Sequence, residues 1–404
     1  MEHITGGVCA PMGFKAGGIH CGIRKNRTKR DIALIISDVP ASASAVYTTN
    51  LVKGAPIHVT RRNISDGIAQ AMICNSGNAN TCNADGEDIA WQMCQLTASA
   101  AGVKAEDVIV ASTGVIGQPL PIEPIAAGMH ALAAAVHADG SHDAAEAIMT
   151  TDTKMKEVAV SFVAGGKTCK LGGIAKGSGM IHPNMATMLV FLTCDAAISP
   201  AMLKKALSEN VQDTFNMISV DGDTSTNDMV SIMSNGLAGN ALIDTEGEDY
   251  AAFCAALNEV TTTLCRMIAK DGEGATRLLT CYVHGGKTVK DAKLAAKSVV
   301  CSSLFKAAIF GADANWGRVL CALGYSGADI DVQAVDVTFR SVKGEITVCK
   351  MGASVPFSEE KAKEILLEDE IDVIITLRDG EACATAWGCD LTYDYVKING
   401  DYRT

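Results

Sequence analysis

The sequence predicts a mixed α/β fold, of the α+β type, with mixed sheets and helices packed outside them. Three observations carry this. Apolar runs of strand length alternate along the chain with segments of helical periodicity. Some strand runs are separated by Gly-Gly pairs, so hairpins occur beside crossovers and the sheets are not purely parallel. Hydrophobic residues make up 48% of the 404 and charged residues 20%, ample for a buried core. At about 150 residues per domain, that length corresponds to two or three domains.

The elements follow in order. Residues 107–112 (DVIVAS) form an apolar run closed by Thr113-Gly114, which reads as a strand ending in a tight turn. Residues 121–136 read as a helix. Residues 156–163 and 167–175 read as two strands of a hairpin around Gly165-Gly166. Residues 186–194 are a further strand. Ser199-Pro200 marks a helix start, Ser as N-cap and Pro at the first helical position. The clearest helix spans 246–270. There Tyr250, Phe253, Cys254, Leu257, Val260, Thr261, Leu264, Met267 and Ile268 recur at three-four spacing and define one buried face. It stops at Asp271-Gly272. Strands follow at 330–339 and 345–351, a helix at 358–367, and strands at 371–377 and 382–387.

Charge and composition exclude several functions. Thirty-four Lys and Arg against 46 Asp and Glu leave a net charge of -12, which argues against a nucleic-acid surface. A local basic pocket for an anionic small molecule is compatible with it. The first residues carry no basic and apolar pattern of a signal peptide. No run approaches the ~18 apolar residues of a membrane span. The fifteen cysteines show no C-x-x-C spacing, so neither a zinc ribbon nor a thioredoxin-like pair is predicted, and no metal site is expected. Many, such as Cys194 in LVFLTC, lie in apolar runs, where a reduced Cys acts as a small core residue. That predicts a reducing cytosol.

Phosphate-loop look-alikes fail. Gly165-Gly166-Lys167-Thr168 and Gly285-Gly286-Lys287-Thr288 lack the earlier Gly, its place being taken by Ser161 and Cys281. Hairpin turns account for both. The eight histidines are scattered and define no dyad.

The segment 173–189, GIAKGSGMIHPNMATML, is different. Glycines lead into a rigid Pro, and a small residue, Ala186, precedes Thr187. One reading is a Gly-rich loop running into a strand. The other is chemical. If a strained turn presents the Ala186 carbonyl to the Thr187 hydroxyl, an N-to-O acyl shift cuts the chain there. Thr187 then gains a free α-amine, with a reference pKa of about 7.7–8.0, as a general base beside its own nucleophilic hydroxyl.

KGSGMIHPNMATML closely resembles the self-cleavage motif of the ornithine acetyltransferases, the ArgJ family. VYTTNLVKGAP (46–56), NSGNANTCNADG (75–86), ASTGVIGQPLP (111–121), TTDTKMK (150–156), DGEGATR (271–277) and GADANWGRVLCALGYSG (311–327) follow in family order. The end, Asn399-Gly400-Asp401-Tyr402-Arg403-Thr404, resembles the family's Asn-x4-Ser/Thr terminus. His182, where Ala or another small residue is expected, is a departure outside the reacting atoms.

The resemblance implies a self-cleaving, N-terminal-nucleophile-like sandwich of the ArgJ/DmpA type. It implies a cut at Ala186–Thr187, giving an α chain of 1–186 that carries the oxyanion hole and a β chain of 187–404 that begins with the nucleophile Thr187. Thr113 and Gly114 are then the oxyanion hole. Thr153, Lys176, Thr187, Glu273, Asn399 and Thr404 are the substrate contacts, Lys176 suiting a carboxylate and Glu273 an ammonium. The implied activity moves acetyl from N2-acetyl-L-ornithine to L-glutamate within arginine biosynthesis, with acetyl-CoA as an alternative donor, no cofactor, and a cytoplasmic α2β2 assembly. Taken alone, Thr113-Gly114 reads first as an ordinary turn; Lys176 also reads as a solvated loop charge and Glu273 as a turn residue. Two rivals stand beside the transferase: an N-terminal-nucleophile amidase or aminopeptidase, and an uncleaved amino-acid-binding protein.

Overall fold

The computed structural model describes residues 1–182 and 188–400. In chain order the strands are β1 (Glu2–Ile4), β2 (Phe14–Ile19), β3 (Ile32–Tyr47), β4 (Ile68–Asn75), β5 (Val108–Ser112), β6 (Lys156–Ala164), β7 (Lys167–Lys176), β8 (Leu189–Cys194), β9 (Ile218–Ser219), β10 (Met229–Ser234), β11 (Leu278–Gly286), β12 (Asp336–Ser341), β13 (Gly344–Lys350), β14 (Ala353–Ser354), β15 (Glu370–Thr376) and β16 (Ala382–Cys389). The α-helices are α1 (Ala55–Asn63), α2 (Gly86–Ala101), α3 (Glu123–Ala134), α4 (Ser141–Ala147), α5 (Pro200–Asn210), α6 (Glu248–Lys270), α7 (Val289–Cys301), α8 (Ser303–Phe310), α9 (Trp316–Gly324), α10 (Glu359–Leu366) and α11 (Tyr393–Gly400). The described residues fall into two compact units, one of 1–177, 188–215 and 224–264, the other of 178–182, 216–223 and 265–400.

The first unit is built on a sheet in the order β1-β6-β7-β8-β10-β3-β4-β5, with β2 also paired to β3. It is mixed, as expected: β8/β10 and β4/β5 are parallel, the other pairs antiparallel. Side chains of β3, β4 and β5 separate alternately into two cores. Ile32, Leu34, Ala71, Ile73, Val108 and Val110 pack with Val59 of α1, Met93 of α2 and Ile125 of α3. Ala33, Ile35, Met72, Cys74, Ile109 and Ala111 join a second cluster with Ala144 and Ala147 of α4. The period of two places these clusters on opposite faces, with helices outside both.

β6 and β7 form the expected hairpin around Gly165-Gly166. β7 then pairs antiparallel with β8, Lys176 lying opposite Leu189. The connection 177–188, which contains the expected cleavage site, therefore joins two adjacent strands inside the sheet. Ser199 caps α5 by accepting a hydrogen bond from the Met202 amide.

The second unit has a sheet ordered β14-β13-β12-β15-β11-β16-β9. Ile371, Val373 and Ile375 of β15 are fully buried, and the Phe305 and Phe339 rings stack at 6.2 Å. Small residues on α7, among them Ala292, Ala295 and Ala296, let it pack against β11 and β16.

Two expectations change. Gly285–Thr288 is no hairpin turn: it leads from β11 into α7, whose N-cap is Thr288, accepting from the Asp291 amide. The strand expected from residue 330 begins at Asp336, because the Asp331 side chain accepts from the Gln333 amide and holds a 3-10 turn at Val332–Ala334. The strand expected from 186 is described from Leu189.

Candidate active site

Thr113 and Gly114 follow β5 directly and are half-buried. The turn is held by the NSGNAN segment. The Asn75 carbonyl accepts from the Thr113 amide at 2.9 Å, and the Asn75 side chain donates to Ser112 Oγ at 2.6 Å while accepting from the Asn78 amide at 3.1 Å. Asn227 reaches in from beside β10. Its amide donates to the Ser112 and Ala79 carbonyls at 2.9 and 2.6 Å, and its oxygen accepts from the Thr81 hydroxyl at 2.6 Å. Gly114 has φ 131°, and a Cβ there would stand 2.8 Å from the Asn78 nitrogen. No side chain fits this backbone. The backbone of Thr113-Gly114 is thus fixed at a strand end, where a Thr hydroxyl and a Gly amide are groups that can stabilise a developing oxyanion.

Lys176 ends β7 and is buried, at 8% exposure. It lies among charges that sequence reading missed. Asp152 accepts from the Lys156 ammonium at 2.7 Å and from the Gly177 amide at 2.7 Å, and its other oxygen lies 3.9 Å from Lys176 Nζ. Burial alone raises the Asp152 carboxyl, but the Lys176 and Lys156 charges and the Gly177 amide outweigh it and hold it well below the carboxylate range. Lys176 is thus a buried cation beside Asp152, of the kind that suits a substrate carboxylate. Asp228 is also buried. Desolvation pushes its carboxyl well up, against the pull of Ser225 and Lys176, and its Oδ2 has no hydrogen-bond partner. Thr153 is exposed in the turn before β6.

The second unit holds Glu273 and Asn399. Glu273 lies just beyond the end of α6 and is 8% exposed. Its amide donates to the Ser178 carbonyl at 2.9 Å, and its carboxylate accepts from the Asn399 side chain at 2.7 Å. Gly179 lies against that carboxylate, where a Cβ would stand 2.3 Å from its carbon. The expected contacts Glu273 and Asn399 are thus brought together, as are Thr113 with Gly114 and Lys176 with Asp152, the neighbour of Thr153. Ala186, Thr187 and Thr404 lie outside the described residues. Among the described residues, no group of three His, Cys, Asp or Glu is arranged to hold a metal ion.

His182 anchors the chain before the expected cut. Its Nδ1 lies 3.2 Å from Ser219 Oγ and 3.4 Å from Cys301 Sγ. Burial and the Lys297 charge lower its pKa to about 4, against an opposing pull from Asp221. The unfolded chain therefore takes up this proton first as pH falls. The stability contribution of neutral His182 is complete above about pH 6.5 and is lost down to about pH 4. Replacing it with Ala should flatten the acid dependence. Thermal melts at pH 7.5 and 5 should show a smaller fall for His182→Ala than for the parent; equal falls would refute this.

A Thr-Gly turn at a strand end suits an acyl-transfer enzyme, and the sequence model of the ArgJ family matches residues 15–404. The chain belongs to the ArgJ family. It is similar, at 53% identity over 406 residues and 100% of both chains, to the arginine biosynthesis bifunctional protein ArgJ of Symbiobacterium thermophilum. The protein of the same name from Caldanaerobacter subterraneus subsp. tengcongensis is 51% identical over 405 residues, again 100% of each. Among solved structures, the arginine biosynthesis bifunctional protein ArgJ of Bacillus halodurans aligns with a TM-score of 0.50 at 45% identity. That alignment covers 52% of this chain and 97% of that one.

Proposed function

We propose that this arginine-biosynthesis acetyltransferase works by a ping-pong mechanism on Thr187, freed by self-cleavage at Ala186–Thr187. The Thr187 hydroxyl attacks the acetyl carbonyl of N2-acetyl-L-ornithine while its α-amine takes the hydroxyl proton. Thr113 Oγ and the Gly114 amide hold the oxyanion. Collapse breaks the C–N bond, and the Thr187 ammonium returns its proton to the leaving α-nitrogen of ornithine. An acetyl ester remains. The α-amine of L-glutamate attacks it and loses its proton to the Thr187 amine; the ester C–O bond breaks, the Thr187 ammonium returns the proton to the Thr187 oxygen, and N-acetyl-L-glutamate leaves. Lys176 receives the substrate carboxylate and Glu273 the ornithine ammonium, with Thr153, Asn399 and Thr404 as further contacts.

The observation that carries this reading is the Thr113–Gly114 turn, whose backbone admits only Gly and whose supports come from the family's own NSGNAN motif. The length of the solved relative supports the cut. Its match corresponds to 52% of 404 residues, about 210, where a β chain of 187–404 has 218. The bifunctional name of the relatives supports acetyl-CoA as a second acetyl donor for glutamate. The chemistry uses only a hydroxyl, an amine and two donors, so we assign no cofactor. The unpaired cysteines support a cytoplasmic setting, and the family resemblance supports an α2β2 assembly.

Incubation with acetylornithine alone should leave acetyl on the N-terminal Thr187 of the β fragment, detected by mass spectrometry. Glutamate should then discharge it. Discharge by water as fast as by glutamate would favour an amidase or aminopeptidase instead.

A further inference from the structure

Residues 178–182 form the arm that leads toward the expected scissile bond, and hydrogen bonds hold it at Ser178, Met180, Ile181 and His182. Ser178 accepts from the Glu273 amide at 2.9 Å and donates to the Asp271 carbonyl at 2.7 Å. The Met180 and Ile181 amides donate to the two carboxylate oxygens of Asp221, at 2.6 and 2.9 Å. The Ile181 carbonyl accepts from the Val220 amide at 2.7 Å. Met180 sits at φ 56°, a left-handed conformation that an L side chain keeps only when the surroundings bond it there.

Asp221 has a third donor. The Tyr395 hydroxyl, on α11, donates to the same Oδ2 that receives the Met180 amide, at 3.3 Å. Burial first, then the Asp221 charge, push the Tyr395 phenol up, so it stays a donor. Four residues on, the Asn399 side chain donates to Glu273 and to the Tyr395 carbonyl. One carboxylate thus fastens both the arm and the helix that carries Asn399.

We propose that Asp221 is the positioning residue that sets the arm for self-cleavage and seats α11 so that Asn399 meets the ornithine substrate. This rests on the cut at Ala186–Thr187 and on Asn399 as a substrate contact. Asp221 touches no reacting atom. It acts through the Met180 and Ile181 amides on one side and through Tyr395 on the other.

The two branches are separable. Cleavage is followed on denaturing gels during cell-free synthesis of the full chain, and kinetics are measured on the cleaved enzyme. Asp221→Asn turns an acceptor into an NH2 that faces a donor. It should slow cleavage at least about tenfold, and raise KM for acetylornithine about tenfold with kcat within about twofold. Tyr395→Phe cuts only the helix branch, so cleavage should keep its rate while KM rises about threefold. Gly at position 180 adopts φ 56° without strain and depends less on the clamp. The double variant Asp221→Asn/Met180→Gly should therefore recover part of the cleavage rate. Asp221→Asn cleaving at the parental rate would overturn the proposal. So would Tyr395→Phe slowing cleavage as much as Asp221→Asn, since that marks a general folding defect. If Asp221→Asn yields no soluble protein, Tyr395→Phe decides: raised KM with parental cleavage supports the proposal, and unchanged KM overturns it. A parent chain that itself stays intact would sink the cleavage reading, and the proposal with it.

Discussion

Thr187→Ala should give a single band at 42 kDa and no acetyl transfer. The parent chain should give two bands at roughly 19 and 23 kDa, its 42.1 kDa divided as 186 to 218 residues. One side chain is asked to serve twice. In the proposed reaction its hydroxyl opens the Ala186–Thr187 peptide, and the same oxygen later carries the acetyl group. Alanine removes the hydroxyl and the γ-methyl and leaves the backbone unchanged, so the fold should survive and melting should stay near that of the parent. The comparison also separates the rivals. An uncleaved amino-acid-binding protein gives one band with or without the substitution. A Thr187→Ala chain that still splits would place the nucleophile elsewhere.

Gly114→Ala should lower kcat by about 10²–10³, equivalent to losing one oxyanion donor, about 2.7–4 kcal/mol of barrier. Two facts force this. The residue has φ 131°, where a Cβ is strained whatever the space, and that Cβ would stand 2.8 Å from both the Asn78 nitrogen and the Gly77 carbonyl carbon. Backbone atoms cannot rotate aside as a side chain can. The turn must move, and the Gly114 amide moves with it. KM for acetylornithine should change little, because Lys176 and Glu273 are untouched, and the split between kcat and KM is the measurement to make. A variant that retains full kcat would return Thr113-Gly114 to the status of an ordinary turn.

Much of the fold was legible where local chemistry decides it. The three-four spacing of Phe253, Leu257, Val260 and Leu264 gave α6, and Ser199-Pro200 gave the start of α5. The β6–β7 hairpin followed from its Gly pair. The long strand β3 was not legible. Its run IALIISDVPASASAVY is buried on both faces, so the alternation vanishes, and Ala, Ser and Pro give no strand preference. The break in its pairing with β4 between Ile36 and Ala41 marks the same irregularity.

The site divided in the same way. Thr113, Gly114, Lys176, Glu273 and Asn399 were reached through motif resemblance, because short runs carry them. Asp152 was missed although it stands inside TTDTKMK. Its importance lies in Lys156 and Gly177, one near in sequence and one far, and only the fold unites them. Asp221 stands in a short DGD run that belongs to no motif. Beside the local Asp223 amide, its donors come from residues 180, 181 and 395, a separation that no local pattern reveals. Asp228 gave no signal either, since its character comes from desolvation.

The strand order of the first sheet has a further consequence. β1 to β7 precede residue 186 and β8 onward follow it, yet β8 and β10 lie between β7 and β3. A chain cut at 186–187 therefore leaves two polypeptides woven into one sheet, joined along β7/β8 and β10/β3. Before the cut, folding is a unimolecular search. After it, any molecule that unfolds becomes two strangers, and recovery depends on their meeting at cellular concentration. Such a cut would act as a ratchet: the intact chain can fold and refold, whereas the cut enzyme would have to last on the height of its unfolding barrier.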